Sequence, residues 1–562
     1  MPRRGWREAP KRSGSKGLSA RRAKARAGLG GVQGQSPWLA AAALLLAAPA
    51  HAQPLPDTGT TVEIGGLRQQ LEGLLATGTT LQPGTGTTPG WTITPALGVE
   101  ERWTDHLQNL VGENKSAFVT ALDPSVLING DTARTNTTLT YNPALEHYSS
   151  GGYQDRITQN LNASSQLTLV PERLFLDLRG YTSMQSVTGG YGPNGTAVLS
   201  RQNETQLTAF SAHPYLRQRF GDLASAEAGA VLSRTSQSSL AASPGQLPLS
   251  AQNFLSGQEY LDLASGPDLG RTSADLNVSA SQSSGTGVMN NAHSADATLQ
   301  LGYAITRNLT ALASLGYQDI HYNGSPPFNY SGPSWSGGAH WVPNPDSSIT
   351  ATYGRREGVD SAQLDASYAV GARTRIYARY SEGLTSGLEQ LLNAVNSTVL
   401  DPQGNPVDRT NTPVQIADFF YGVTDNLARL STASVTATLL LERNAISASF
   451  NRQQSHQVAA ASAGAGPQNT SGFYVSLTWQ RDLRPNLTAS TYVQWGTWRN
   501  TLTTGGQNFD SLVFSLKLAY LISETLSAYG QYSYTRQSNA QIPGAVPLLP
   551  ANLIVIGARK TF

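Results

Sequence analysis

The last ten residues, Leu553-Ile-Val-Ile-Gly-Ala-Arg-Lys-Thr-Phe562, put Ile554, Ile556, Ala558 and Phe562 on one face of an extended strand. Strand side chains alternate with period two, so such a face can be laid against lipid. A final strand is an edge, with a row of unpaired N–H and C=O groups that soluble proteins cover or charge. Pairing it with the first strand of a closed barrel removes the edge. The expectation is a chain of β-hairpins that this strand closes.

Upstream, the same alternation recurs in hairpins. Leu299, Leu301, Tyr303 and Ile305 alternate with Thr298, Gln300, Gly302 and Ala304; Thr306-Arg307-Asn308 turns the chain, and Leu309, Ala311, Ala313, Leu315 and Tyr317 continue the apolar face. Segments 471–480 with 487–498, and 510–521 with 525–536, repeat the pattern. A soluble sandwich also alternates. The connections here are asymmetric, however. Short turns at Asn129-Gly-Asp131, Pro171-Glu172, Gly221-Asp222, Arg307-Asn308, Asn344-Pro-Asp346, Ala372-Arg-Thr374, Arg443-Asn444, Asp482–Asn486 and Ser523-Glu524 alternate with long polar loops such as 186–203, 382–430, 454–470 and 537–551. Turn parity requires a further strand around Phe254–Leu263, with a turn near Gly266-Pro267. The expected fold is all-β: a transmembrane, antiparallel, up-and-down β-barrel of about 22 strands (roughly 20 to 24) with both termini periplasmic.

Residues 1–52 read as a signal peptide. Ten basic residues from Arg3 to Arg26 precede the apolar run Trp38–Ala48, and Ala50-His-Ala52 gives a small-x-small site before cleavage at Gln53. Without the ten leader cations and Glu8, the 39 basic and 37 acidic residues become 29 and 36, a net charge of −7. The basicity belongs to the leader, so nucleic acid is not an expected partner. There is no cysteine, hence no disulfide framework and no thiolate metal site. Beyond residue 52 no apolar stretch reaches the length of a membrane-spanning helix. The mean hydropathy of −0.28 decides nothing, because alternation dilutes hydropathy in barrel strands. Residues 53–90, rich in Thr, Gly and Pro with a helical patch from Val62 to Leu75, read equally as a periplasmic arm or a flexible linker. They are too few for the globular plug that large transport barrels hold in the lumen, which leaves the arm or loop 382–430 to enter the pore.

The ending, with Gly557 five residues before a terminal Phe562, resembles the C-terminal assembly signal of bacterial outer-membrane proteins; Lys560 stands where an apolar residue is usual. From residue 91 to 562 the chain resembles a family of outer-membrane β-barrels associated with the PEP-CTERM/exosortase system. The resemblance is carried by Trp91-Thr-Ile-Thr-Pro95 with Trp103-Thr-Asp105, Arg173-Leu-Phe-Leu-Asp177, His213-Pro-Tyr-Leu-Arg217 with Phe220-Gly221, Trp341-Val-Pro-Asn344 with Tyr353-Gly-Arg355, and Tyr380-Ser-Glu-Gly-Leu384. It implies the outer membrane of a Gram-negative bacterium that exports surface proteins or exopolysaccharide. The partners it implies are membrane lipid and lipopolysaccharide, the barrel-assembly machinery and exopolysaccharide export components. It carries over no catalytic residue.

Parity turns Asp177, Arg179, Glu227, Asp275, Asp296, Asp365, Arg375, Arg379 and Lys517 inward, where charges meet water or one another. They read either as a selectivity ladder or as paired charges filling a wide interior, and the second is the commoner case. Tyr303, Tyr317, Tyr353, Tyr368, Trp479, Trp495 and Tyr520 read as interfacial girdle residues, and His340 as lumen-facing. His293, His321 and His456 fall in expected loops, as do the aromatics Tyr322, Phe328, Tyr330, Trp335, Phe419, Phe420 and Tyr421, which fit sugar contact or loop packing alike. Beyond residue 52 there is no Gly-x-Ser-x-Gly, Ser-x-x-Lys or His-Glu-x-x-His, so no catalytic, cofactor-binding or metal residue is assigned and the chain does not read as an enzyme. Three readings stay open. The leading one is a porin-like channel or export conduit linked to exopolysaccharide or surface-protein export. The others are a non-conducting surface barrel that binds a partner or the cell coat through its long loops, and a hydrolase at the outer rim.

Overall fold

The computed structural model describes residues 90–106, 116–149, 155–186, 204–239, 251–400, 406–407, 426–461, 469–501, 507–538 and 550–562. These form one antiparallel sheet of 24 segments and a separate two-stranded ladder of Val399–Leu400 with Pro406–Val407. Thr135–Tyr141 and Ala144–Tyr148 both pair with Ala117–Asp131, and Arg156–Thr158 and Leu161–Val170 likewise share the next position. The 24 segments therefore fill 22 places in the wall. Each strand pairs with its neighbours in sequence, and the ring shuts where Gly90–Thr104 meets Ala551–Thr561, in register from Ala96↔Thr561 to Thr104↔Leu553. The Phe562 N–H donates to the Pro95 carbonyl at 2.9 Å, so the pairing runs to the last residue.

Alternation decides the two faces. Leu315, Ile556, Ile93 and Tyr317 are 68%, 66%, 65% and 55% exposed, among many large apolar side chains on the outside. A monomer in water does not carry an apolar surface of that extent, whereas lipid requires it. All seven expected girdle aromatics lie exposed on this face. A closed barrel with this exterior is a Gram-negative outer-membrane protein, because only full closure satisfies every strand N–H and C=O in a bilayer.

One end of the barrel carries the short connections, among them 171–173, 221–223, 372–373, 442–443, 485–486 and 524–525. Both the start of the first strand and the end of the last lie at that end. Most of the longer connections occupy the other end, which also holds Glu357-Gly358, a two-residue turn with φ of 53° and 79°, as a type I′ hairpin needs.

Several expectations are corrected. Asn129 and Gly130 do not turn. They pair with Thr92 and Trp91, and the turn comes at 132–134, where Thr132 N–H donates to the Thr135 carbonyl. A Cβ on Gly130 would meet the Trp91 ring at 2.7 Å, so this glycine makes room for a cross-strand indole. Asp482 ends inside a strand. His293, His321 and His456 lie in strands, as do Tyr322, Phe328, Tyr330 and Trp335. The leader with Ala50, Ala52 and Gln53, residues 53–89 of the arm, and Phe419, Phe420 and Tyr421 lie outside the described residues.

Two outcomes follow from this closure. Phe562→Asp places a carboxylate on the lipid face and should cut the heat-modifiable, outer-membrane form at least tenfold while leaving secretion intact; wild-type levels on electrophoresis without boiling would contradict the pairing. Epitopes inserted at Asn308 and at Glu524 should be reached by antibody only after permeabilisation, and one at Asn290-Asn291 on intact cells. The reverse pattern would invert the orientation.

Candidate functional site

Of the expected loop 382–430, residues 382–386 and 427–430 belong to strands, and the segment from Gly387 to Leu400 turns into the barrel. The strand Thr374–Ser386, fifteenth in the ring, runs directly into α1 (Gly387–Ser397). Ser386 and Glu389 form a capping box: Ser386 Oγ accepts from Glu389 N–H at 3.2 Å, and the Glu389 carboxylate accepts from Ser386 N–H at 3.4 Å. Eleven residues make a helix about 16 Å long, too short to persist in water without packing. Its packing is extensive. Leu388, Leu391, Leu392 and Val395 are buried among Tyr181, Leu207, Ala209, Phe254, Met289 and Tyr322. Each such side chain contributes about 1.5–3 kcal/mol on burial.

The far end is tied to the opposite wall. Ser211 Oγ donates to Asn396 Oδ1 at 2.6 Å, and Leu400 N–H donates to Ser164 Oγ at 3.4 Å. Ser164 lies in Leu161–Val170, the fourth wall position, half the ring away from the fifteenth. The helix is thus a bar carried from one wall to the other at the long-loop end. Between bar and wall remains a cavity of about 60 Å³ whose lining includes Ser233, Ser283, His293, Tyr322, Glu389 and Asn393. That volume suits a few waters.

The bar is pinned near its start by carboxyls. Tyr322 O–H donates to Glu389 at 2.9 Å. Glu357, in the hairpin turn beside it, accepts from Leu384 N–H at 2.7 Å, while its own N–H donates to Gln318 Oε1 at 2.9 Å. Enclosure pushes the Glu389 carboxyl up to about 7; the donors Tyr322 and Ser386 oppose the shift and the like charge of Glu357 adds to it. Burial raises Glu357 as well, against the pull of Arg356 and Arg429.

The nine charges expected in the lumen all lie opposite the exposed apolar face. Asp177 and Arg179 flank the outward Leu178 and approach to 3.8 Å. Glu227 is held by Arg217 at 2.7 Å and by Tyr260 O–H at 2.8 Å. Asp365 and Arg379 are cross-strand partners 3.0 Å apart. Asp296 accepts from Thr298 at 3.1 Å. Asp275 and Arg375 are half-buried. Lys517 is 2% exposed, with its Nζ 4.6 Å from the Tyr529 ring centre. His340 Nδ1 lies 2.9 Å from Thr350 Oγ1.

A larger charge chain escaped the sequence reading. Arg102 binds Glu100 and Glu146, each at 2.9 Å; Arg156 binds Glu146 and, at 2.7 Å, Glu204; Tyr148 O–H donates to Glu146 at 2.9 Å. Tyr529 O–H donates to Glu100. Gly557 explains how that ring fits, since a Cβ there would meet Tyr529 Cζ at 2.5 Å. Parity alone places Glu100, Arg102, Glu146 and Arg156 inward; their pairing needs the register. Among the described residues no group of three or more His, Asp or Glu side chains is arranged to hold a metal.

No family model matches the chain, and no curated protein matches it in sequence. Solved structures to which it is similar include the siderophore receptor PirA from Acinetobacter baumannii (9% identity over 85% of this chain and 81% of that one, TM-score 0.46). The FrpB iron transporter from Neisseria meningitidis is similar at 10% identity over 84% and 81% (TM-score 0.46), and the ferric enterobactin receptor PfeA from Pseudomonas aeruginosa at 11% over 85% and 81% (TM-score 0.40).

Proposed function

We propose that this protein is a conduit for polar solutes through the outer membrane, narrowed at its outer mouth by α1. The observation that carries the reading is the bar itself: a loop folded inward and tied to both walls of a ring whose inner face is polar and charged. Interior hydroxyls, amides and paired charges suit a hydrated passage, and a narrowing set by one segment is a common basis of solute selection. In this reading residues 1–52 direct export and are removed after Ala52, residues 53–90 form a periplasmic arm, and the barrel-assembly machinery inserts the rest. The association with exosortase or exopolysaccharide export belongs to the proposal too, and rests on the ordered motifs from Trp91 to Leu384.

Purified protein in planar bilayers should conduct ions, and replacing Leu388–Ser397 by a Gly/Ser linker should raise the unit conductance about twofold or more. Arg375→Glu with Arg379→Glu should move the reversal potential toward cation selectivity. Silence of both the intact and the shortened protein would remove the conduit reading in favour of a surface barrel acting through its long loops.

A further inference from the structure

We propose that Glu389 and Glu357 form a carboxyl latch that docks α1 across the lumen in acid and releases it as the pH rises. The inference rests on the conduit reading for its consequence, but the docking itself is a property of the fold.

Both acids sit where the bar meets the wall. Glu389 is in the first turn of α1, and its hydrogen-bond partners are the neutral Tyr322 hydroxyl and the Ser386 N–H; among the described residues no cation bonds to it. Glu357 comes from a different element, the turn after Ser348–Arg356, and grips Leu384 three residues before the helix begins. Among the described residues, the other charged or titratable groups facing the pair are Arg356, 3.5 Å from the Glu357 carboxylate, Arg429, bonded to the Glu357 carbonyl, and His293, which lines the same cavity as Glu389. Both arginines serve Glu357. Glu389 therefore carries its charge beside a second acid, half-buried between helix and wall, wherever α1 is docked.

Undocking exposes Glu389 to water, where its carboxyl returns to its ordinary value of 4.5, against about 7 when docked. A group whose docked value is raised favours docking fully below the undocked value, and that contribution fades as pH climbs through the docked value. The window is thus pH 4.5 to about 7. One proton linked to the step moves the docked-to-undocked ratio about tenfold per pH unit there, on the order of a few hundredfold in all. The four buried aliphatic side chains of α1 favour docking equally at every pH, so the pH response belongs to the carboxyls.

The chain has no cysteine, so a nitroxide on Gln390→Cys, at an exposed position of α1 outside the cavity lining, reports the bar alone. In detergent-folded, heat-modifiable protein the label should be immobilised at pH 5 and mobile at pH 8, with the immobile-to-mobile ratio falling at least tenfold. Glu389→Gln should keep it immobilised throughout. Glu357→Gln, which leaves the helix sequence intact, should shrink the pH response, and His293→Asn should not change it. A spectrum indifferent to pH, or an unchanged transition in Glu389→Gln, would overturn the latch. So would a transition abolished by His293→Asn. Conductance separates the two readings: a moving label in a silent barrel removes the conduit and keeps the latch, and a conducting barrel with a still label does the opposite.

Discussion

Everything in this molecule depends on the pairing of its first strand with its last. A bilayer interior offers no water to an unpaired N–H or C=O, so a β-structure there must have no edge. Nine residue pairs from Ala96↔Thr561 to Thr104↔Leu553 remove that edge, and the Phe562 N–H extends the ladder by one bond. Once the ring is shut, period two assigns every wall residue to lipid or lumen. A register slip of one residue would exchange the faces, putting Glu100 and Arg102 in hydrocarbon.

The enclosed interior then imposes its own rules. Glu100, Arg102, Glu146 and Glu204 are almost fully buried, and an isolated charge in such a place is strongly unfavourable. The chain satisfies them by alternation of sign, acid to arginine to acid, with tyrosine hydroxyls closing remaining lone pairs. Removing one member of such a chain costs more than the pair contributes, about 3–5 kcal/mol, because its partner is left buried and unpaired. The bar across the mouth follows different physics. It is held by aliphatic burial and a few polar ties instead of paired charges.

How far the sequence could be read follows from these same interactions. Alternation at Leu299–Tyr317 and the asymmetric turns are local signals, and they were enough for a barrel of 22 strands. The inward parity of Asp365 and Arg379 was legible as well, but their 3.0 Å contact was not, because it depends on which residues face each other across strands. The Ser386-x-x-Glu389 box was plainly present in the sequence; the destination of the helix was not, since Ser211 and Ser164 lie some two hundred residues away. Asn129-Gly misled for a related reason. Asn-Gly is a strong turn signal, and here the glycine serves the Trp91 ring on the neighbouring strand instead. Of the two readings open for Tyr322, sugar contact and packing, its place in the cluster around α1 supports packing.

Closure of the ring is tested most directly by a disulfide across the seam. Val99 and Ala558 face each other there, and opposed antiparallel residues lie about 4.5–5.5 Å apart at Cα, within disulfide reach. In a chain without other cysteines, Val99→Cys with Ala558→Cys should oxidise in the outer-membrane fraction to a circular species that runs anomalously after boiling and reverts with reductant. The shifted pair Val99→Cys with Ile556→Cys should remain reduced. Failure of the first pair to close, or equal closure of the shifted pair, would contradict the barrel described here.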